Sequence, residues 1–495
     1  MPHPVRRHVV EVDGRAVHLR VLGSGPAAVL LHESPRSSVA VQPLAQALAD
    51  RFTCICPDTP GYGLSDPLPL ARPEIADLAD ATARLLDALG LEAPALYGTH
   101  TGAEIALELI LRHPGRASVV ALDGYPVFTR AEQEEQLRWY LPRFPTRWDG
   151  SHMAQLWARV RDQLQFYPWY ARGEANRLRF DPRTLEGHDQ VIADLMDAGV
   201  EDAPNYATGY GAAFRYDGAG AVTRAAQAGA PVIYLCREDD LLHPHLERIA
   251  ALAPEARLRS LTPDRAAWAA AMAEALAVPG AAPAPALPAQ PARLRFTPEG
   301  MLMRRAGPAE GAARLLLHGH PGSGAVLARE TERAALGGPV FVPDLPGSGR
   351  SAPLGGDPAT LAARMAGTLA AALPDGPLAV EAWFTAQPVA QALAALDPAR
   401  FRIAAIHDPL PSGAALDALR ARHAQELPSD WHGSHMMAAW WTARDMLAYS
   451  PWFERTAATQ RPLPAEVDLA ILQAQAQAIL QGRFTEPEVI RALLG

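Results

Sequence analysis

The chain repeats itself. Pro57-Asp58-Thr59-Pro60-Gly61-Tyr62-Gly63-Leu64-Ser65 returns as Pro343-Asp344-Leu345-Pro346-Gly347-Ser348-Gly349-Arg350-Ser351, and Leu31-His32 returns as Leu317-His318 at the same separation. Further on, Trp148-Asp149-Gly150-Ser151-His152-Met153 reappears as Trp431-His432-Gly433-Ser434-His435-Met436. Trp157, Arg161-Asp162 and Pro168-Trp169 then match Trp440, Arg444-Asp445 and Pro451-Trp452. Ordered matches at a nearly constant offset imply a tandem duplication, with a period too long for a solenoid. Between the copies, residues 278–293 carry five prolines, which exclude a helix interior or a central strand and predict an extended, semi-stiff spacer. The expected domains are therefore 1–277 and 294–495, the second packing on the first.

Within the first copy, Ala27–Leu31, Thr53–Cys56, Ala95–Tyr97, Ser118–Leu122 and Val232–Cys236 are short apolar runs bounded by turn residues, as buried parallel strands are. Val41–Ala49, Ile75–Leu89 and Ala103–Arg112 have helical spacing between them. This alternation predicts an α/β fold: a mostly parallel, doubly wound sheet with helices on both faces. Residues 128–215 break the alternation, are rich in Trp, Tyr and Arg, and read as an inserted helical lid.

Composition excludes several chemistries. The chain contains no lysine, which removes Schiff-base catalysis, lysine-held pyridoxal phosphate and the P-loop lysine. The net charge of −9, with no basic block, argues against nucleic acid as a partner. Cys54, Cys56 and Cys236 are too few for a disulfide framework, and Cys54 and Cys56 read as small buried hydrophobes. The first residues lack the apolar core of a signal peptide, and no run is long and apolar enough for a membrane span. A cytoplasmic protein without a cofactor, acting on a small molecule, is the expectation; the sequence leaves its oligomeric state open.

Leu30-Leu31-His32-Glu33-Ser34-Pro35, Pro57-Asp58-Thr59-Pro60-Gly61-Tyr62-Gly63 and Gly98-Thr99-His100-Thr101-Gly102 occur in the order of the oxyanion loop, strand-4 exit and nucleophile elbow of the α/β-hydrolase superfamily, which this chain resembles. Val232–Cys236 followed by Arg237-Glu238-Asp239-Asp240-Leu241-Leu242-His243-Pro244 resembles its acid-bearing loop. The resemblance covers about residues 15–280, and 295–410 in degraded form. It implies an enzyme acting on a small, largely apolar ester, amide or activated C–C bond.

The departures concern the site itself. The elbow ordinarily reads G-x-S-x-G; here Gly98 and Gly102 flank His100. An imidazole is itself a base near neutrality, so His100 reads as general base or nucleophile, its pKa lowered by the following helix N-terminus. Its other reading is a relic in a non-catalytic binding or scaffold protein. The resemblance makes Asp240 the acid, with Asp239 one residue away as an alternative. The usual terminal histidine is missing, since none occurs between His245 and His318. A His100–Asp240 dyad is the expected repair, with His243 and His245 as fallback bases. By resemblance, the backbone N–H groups of Ser34 and Thr101 would form the oxyanion hole. Glu33 replaces the usual glycine and could repel anions, act as a second acid/base or point to solvent. In the lid, His152, Trp157 and Arg161 fall at helical spacings and could clamp a substrate beneath an aromatic roof, or serve only as lid core. The second copy keeps this motif but has lost the elbow, reading Glu381-Ala382-Trp383-Phe384-Thr385-Ala386. It is expected to be a pseudo-enzyme, its pocket plugged by Trp383 if that residue occupies the elbow position. His318, His320 and His407-Asp408 show no recognised metal-ligand spacing.

Overall fold

The apolar runs of the first copy become the centre of an eight-stranded sheet. The structure, a computed structural model, describes residues 2–178, 186–199, 205–424 and 426–495. The strands are β1 (Arg6–Val12), β2 (Arg15–Gly23), β3 (Ala27–Leu31), β4 (Thr53–Pro57), β5 (Ala95–Thr99), β6 (Val119–Asp123), β7 (Val232–Arg237) and β8 (Arg257–Leu261), in spatial order β1-β2-β4-β3-β5-β6-β7-β8. β1 and β2 are antiparallel to each other and β2 to β4. From β4 to β8 all pairings are parallel. Every residue of β3 is buried, as a central parallel strand requires. One face of the sheet packs Val29, Ile55, Leu96 and Val120 against helices 75–88, 101–112 and 218–227. The other packs Leu30, Cys54, Cys56 and Tyr97 against helices 42–48 and 265–275.

The second sheet contains β9 (Leu294–Phe296), β10 (Leu302–Ala306), β11 (Ala313–Leu317), β12 (Val340–Pro343), β13 (Leu378–Trp383) and β14 (Phe401–His407), in order β14-β13-β11-β12-β10-β9. From the antiparallel pair inwards, this is the order of the first six strands of the first sheet. Among the described residues the second sheet has no counterpart of β7 and β8.

The sequence motifs common to both copies hold the sheets together. Asp58 accepts hydrogen bonds from the Ser38 N–H at 2.8 Å, the Leu64 N–H at 2.9 Å and His18 Nδ1 at 2.8 Å. Asp344 accepts from the Gly324 and Arg350 N–H groups, each at 2.8 Å, and from Arg304. His32 Nε2 accepts from the Thr59 N–H, and His318 Nε2 from the Leu345 N–H. Each staple ties one strand exit to the next, satisfying N–H groups that no strand or helix pairs.

By contacts the chain forms two compact units, and they depart from the linear division read from the sequence. Among the described residues the first comprises 2–145, 159–178, 186–199 and 205–291; the second comprises 146–158, 292–424 and 426–495. The Trp148 motif thus belongs with the second unit, where it meets its own repeat. Trp157 Nε1 donates to the Trp431 carbonyl at 3.2 Å, and Trp440 Nε1 to the Trp148 carbonyl at 3.0 Å. His435 stands edge-on to Trp157 at 4.9 Å and His152 edge-on to Trp440 at 4.6 Å. Gly150 and Gly433 each lie where a Cβ would fall 2.4 Å from the opposing indole. Each half of the motif contacts the other as the other contacts it, an isologous pairing within one chain.

The segment 278–293 contains neither helix nor strand, yet it is pinned along the first unit rather than free. The Ala284 N–H donates to the Gly25 carbonyl at 2.9 Å, and the Val9 N–H to Gln290 Oε1 at 3.1 Å.

Candidate active site

The strand β5 ends at Thr99 and helix 101–112 begins at Thr101, leaving His100 alone at the turn with φ 48° and ψ −112°. Glycine is needed on both sides because the helix N-terminus presses onto the sheet. A Cβ on Gly98 would lie 2.2 Å from the Gly102 carbonyl oxygen, and one on Gly102 2.3 Å from that of Leu31. The turn presents the His100 ring to the loop after β7, where Nε2 lies 3.0 Å from Asp240 Oδ2 and 3.2 Å from Oδ1. Asp240 is held in turn by the Leu242 N–H at 2.8 Å. Gly124, after β6, leaves room for the ring. Asp239 faces elsewhere and pairs with Arg237 at 2.8 Å.

The electrostatics of the pair favour its charged form. Burial favours the neutral imidazole, but the Asp240 carboxylate outweighs it, with Glu33 and Asp123 adding to the effect, and the His100 pKa is raised to about 9. Asp240 is correspondingly lowered to about 2, the imidazolium beside it overcoming its burial. The His100 pKa thus lies above its ordinary value, not below it as the helix N-terminus alone predicts. The two shifts together favour the imidazolium–carboxylate form of the pair. Among the described residues Nδ1 has no hydrogen-bond partner, so its N–H is available to a ligand.

His100 lines a cavity of about 180 Å³ whose wall is largely apolar, with Phe128, Tyr140, Tyr167, Tyr210 and Phe214 providing aromatic faces. Its polar lining includes Glu33, Arg36, Thr101 and Glu104. Glu33 projects beside the site, where Arg36 Nη1 approaches it at 3.5 Å, and Arg36 Nε binds the buried Asp194 at 2.8 Å. The Ser34 N–H, expected to be free for an oxyanion, donates to Thr101 Oγ1 at 3.4 Å. The Thr101 N–H opens the helix and has no acceptor within it.

His152 and Trp157, expected to roof the site, are not among the residues that line this cavity. Both are buried in the second unit, His152 hydrogen-bonded to Gln473 at 2.9 Å and Trp157 to Trp431. Arg161 is not among the lining residues either. The fallback histidines are engaged elsewhere. His245 accepts from the Val127 N–H at 2.7 Å, and burial lowers its pKa to about 4; His243 bonds to Ser260 at 2.8 Å.

Sequence reasoning missed the acid behind the dyad. Asp123, the last residue of β6, accepts from the Tyr97 hydroxyl and the Trp268 indole N–H, each at 2.8 Å. Trp268 comes from helix 265–275, capped by Asp264. Glu104 was also missed, because a charged residue in an amphipathic helix gives no sign of burial.

In the second unit the corresponding turn is occupied by Phe384, not Trp383; its φ is again 48°. Trp383 instead stacks on His407 at 4.2 Å. Phe384 packs edge-on to His423 at 5.1 Å, and His423 accepts from Trp452 Nε1 at 2.9 Å. His320 donates its N–H to Thr385 Oγ1 at 2.7 Å, repeating the Ser34–Thr101 contact. Among the described residues no cluster of potential metal ligands occurs, and no helix is long and apolar enough to cross a membrane.

Residues 26–263 match a family model described as the alpha/beta hydrolase fold, and that is the fold of this region. A fluoroacetate dehalogenase from a Burkholderia species is 30% identical over 205 residues, covering 38% of this chain and 64% of the relative. A 2-(acetamidomethylene)succinate hydrolase from Mesorhizobium japonicum is 35% identical over 118 residues, covering 24% and 42%. The chain thus spans less than two thirds of the length of either relative. Among solved structures, epoxide hydrolase A from Mycobacterium thermoresistibile aligns with a TM-score of 0.42 at 22% identity, covering 55% of this chain and 98% of that one.

Proposed function

We propose that the first unit is a hydrolase of the α/β-hydrolase superfamily that cleaves a small, largely apolar ester or amide. The observation that carries this reading is the His100–Asp240 pair at 3.0 Å, with its ring in the wall of an apolar cavity. His100 acts as the acid. Its Nδ1–H, with the Thr101 N–H beside it, donates to the oxygen that gains negative charge as water attacks. Glu33 takes a proton from that water as its oxygen bonds to the carbonyl carbon. The bond to the leaving group breaks, the leaving group takes the His100 proton, and Glu33 returns its proton to His100. Asp240 supports the imidazolium throughout, the role a carboxylate has beside any catalytic imidazole.

A panel of small phenyl esters and anilides tests this. Wild-type turnover is expected to fall as pH rises through about 9, where His100 loses its proton. His100→Asn is expected to lower kcat at least about a hundredfold in a variant that remains folded by circular dichroism. A neutral-base mechanism would instead give activity that rises with pH.

A second reading is favoured by one observation: the Ser34 N–H is already bonded to Thr101, as its counterpart His320 is to Thr385. A site with that donor satisfied suits a ligand-binding protein. A wild type inert on every ester and anilide would select it.

The second unit we read as a duplicated, non-catalytic copy. The shared strand order and the shared backbone turn, where Phe384 stands in the place of His100, support this.

A further inference from the structure

We propose that Glu104 is a ligand-binding residue, an uncharged carboxyl that donates a hydrogen bond to an acceptor oxygen on a neutral guest in the His100 cavity. The proposal rests on the reading above that this cavity is the substrate site.

Glu104 lies one turn into helix 101–112, is 1% exposed, and lines the cavity. Its Oε2 is fully buried with no hydrogen-bond partner. The cations nearby are already matched: His100 by Asp240, and Arg36 by Asp194 and Glu33. An ionised Glu104 would add a carboxylate with no counter-charge, and burial holds its pKa well above the usual range. The group is therefore a carboxylic acid with an oxygen facing no protein partner. A buried polar atom left unpaired opposes folding, and a leucine would pack there without that penalty. A ligand oxygen completes what the protein leaves open.

The charge balance selects the guest. Four carboxylates, Glu33, Asp123, Asp194 and Asp240, stand against three cations, His100, Arg36 and the Arg159 that stacks over Tyr140. The site is net negative and disfavours an anion, so a carbonyl, ether or amide oxygen on an uncharged, preferably aromatic body fits best.

Benzamide and benzoate, alike in size and differing in charge, are the probes, titrated into the full chain at pH 7 by ligand-observed NMR. Benzamide is expected to bind at least about tenfold more tightly than benzoate. Glu104→Leu is expected to weaken benzamide about tenfold while raising the Tm, a combination that a merely structural role would not give. Glu104→Gln, which keeps an N–H donor, is expected to retain benzamide within about threefold. Benzoate binding as well as benzamide, benzamide binding unchanged in Glu104→Leu, or neither probe binding would each overturn the proposal. Ester turnover with no Glu104-dependent binding sinks this inference alone; an inert protein that keeps Glu104-dependent binding sinks the hydrolase reading alone.

Discussion

His100 Nε2 and Asp240 Oδ2 lie 3.0 Å apart, joining the strand–helix turn after β5 to the loop after β7. The pair links folding to pH at both ends. The His100 pKa rises from an ordinary 6.5 to about 9, so its contribution is complete below about pH 6.5 and is lost as pH rises through 9. Asp240 is lowered from 3.8 to about 2, so its contribution is complete above about pH 4 and is lost as pH falls through 2. The pair therefore acts in full between about pH 4 and 6.5. His100→Asn should flatten the decline in Tm between pH 6.5 and 9, measured by thermal denaturation across that range. A decline of unchanged slope would show that other groups control it.

Gly124→Ala tests whether the ring position matters. The new Cβ would lie 2.7 Å from His100 Cδ2 and 2.8 Å from Nε2, so the imidazole must move. A displacement of about 1 Å in an acid–base group lowers turnover about a hundredfold. Ester kinetics should show that loss in kcat, with the variant still folded by circular dichroism. Full activity in a folded Gly124→Ala would mean that the His100–Asp240 geometry is not needed for turnover.

Trp268→Phe probes the acid behind the dyad. It removes one of the two donors to Asp123 Oδ2 and leaves only the Tyr97 hydroxyl. Loss of a buried hydrogen bond of this kind should destabilise the fold by about 1–3 kcal/mol. Burial already raises the Asp123 pKa, with the Trp268 and Tyr97 hydrogen bonds opposing it; losing Trp268 raises it further. Urea denaturation measures the loss of stability.

The fold was legible because the central strands are uninterrupted apolar runs, and the motif order fixed which strand each was. β8, Arg257-Leu-Arg-Ser-Leu261, was not, because it is a mostly exposed edge strand and carries no such run. His100 and Asp240 could be read because their flanking residues survive: Gly98 and Gly102 on one side, Pro244 on the other. Their protonation could not be, since it depends on three carboxylates brought together from distant segments. His152 and Trp157 misled for a related reason. Helical spacing shows that residues share a face but not which surface that face meets, and here it is the motif's own repeat.

That repeat gives the sharpest test of whether the Trp148 motif serves architecture or substrate. Trp157 is 3% exposed, and its indole is fixed by the Trp431 carbonyl and the edge of His435. A Cβ on Gly433 would sit 2.4 Å from both Cγ and Cδ1 of that indole, which has nowhere to retreat. Gly433 also has φ +76°, a region costly to side chains. Overpacking and backbone strain together should make Gly433→Ala about 2–4 kcal/mol less stable. Gly150→Ala meets Trp440 Cδ1 at the same 2.4 Å and should behave alike. Adding Trp440→Phe to Gly150→Ala shrinks the opposing ring and should restore part of the stability, a coupling that a double-mutant cycle measures. A role in substrate binding would put the effect on KM instead. If either glycine variant keeps the wild-type Tm while KM rises, the motif belongs to the site and not to the scaffold.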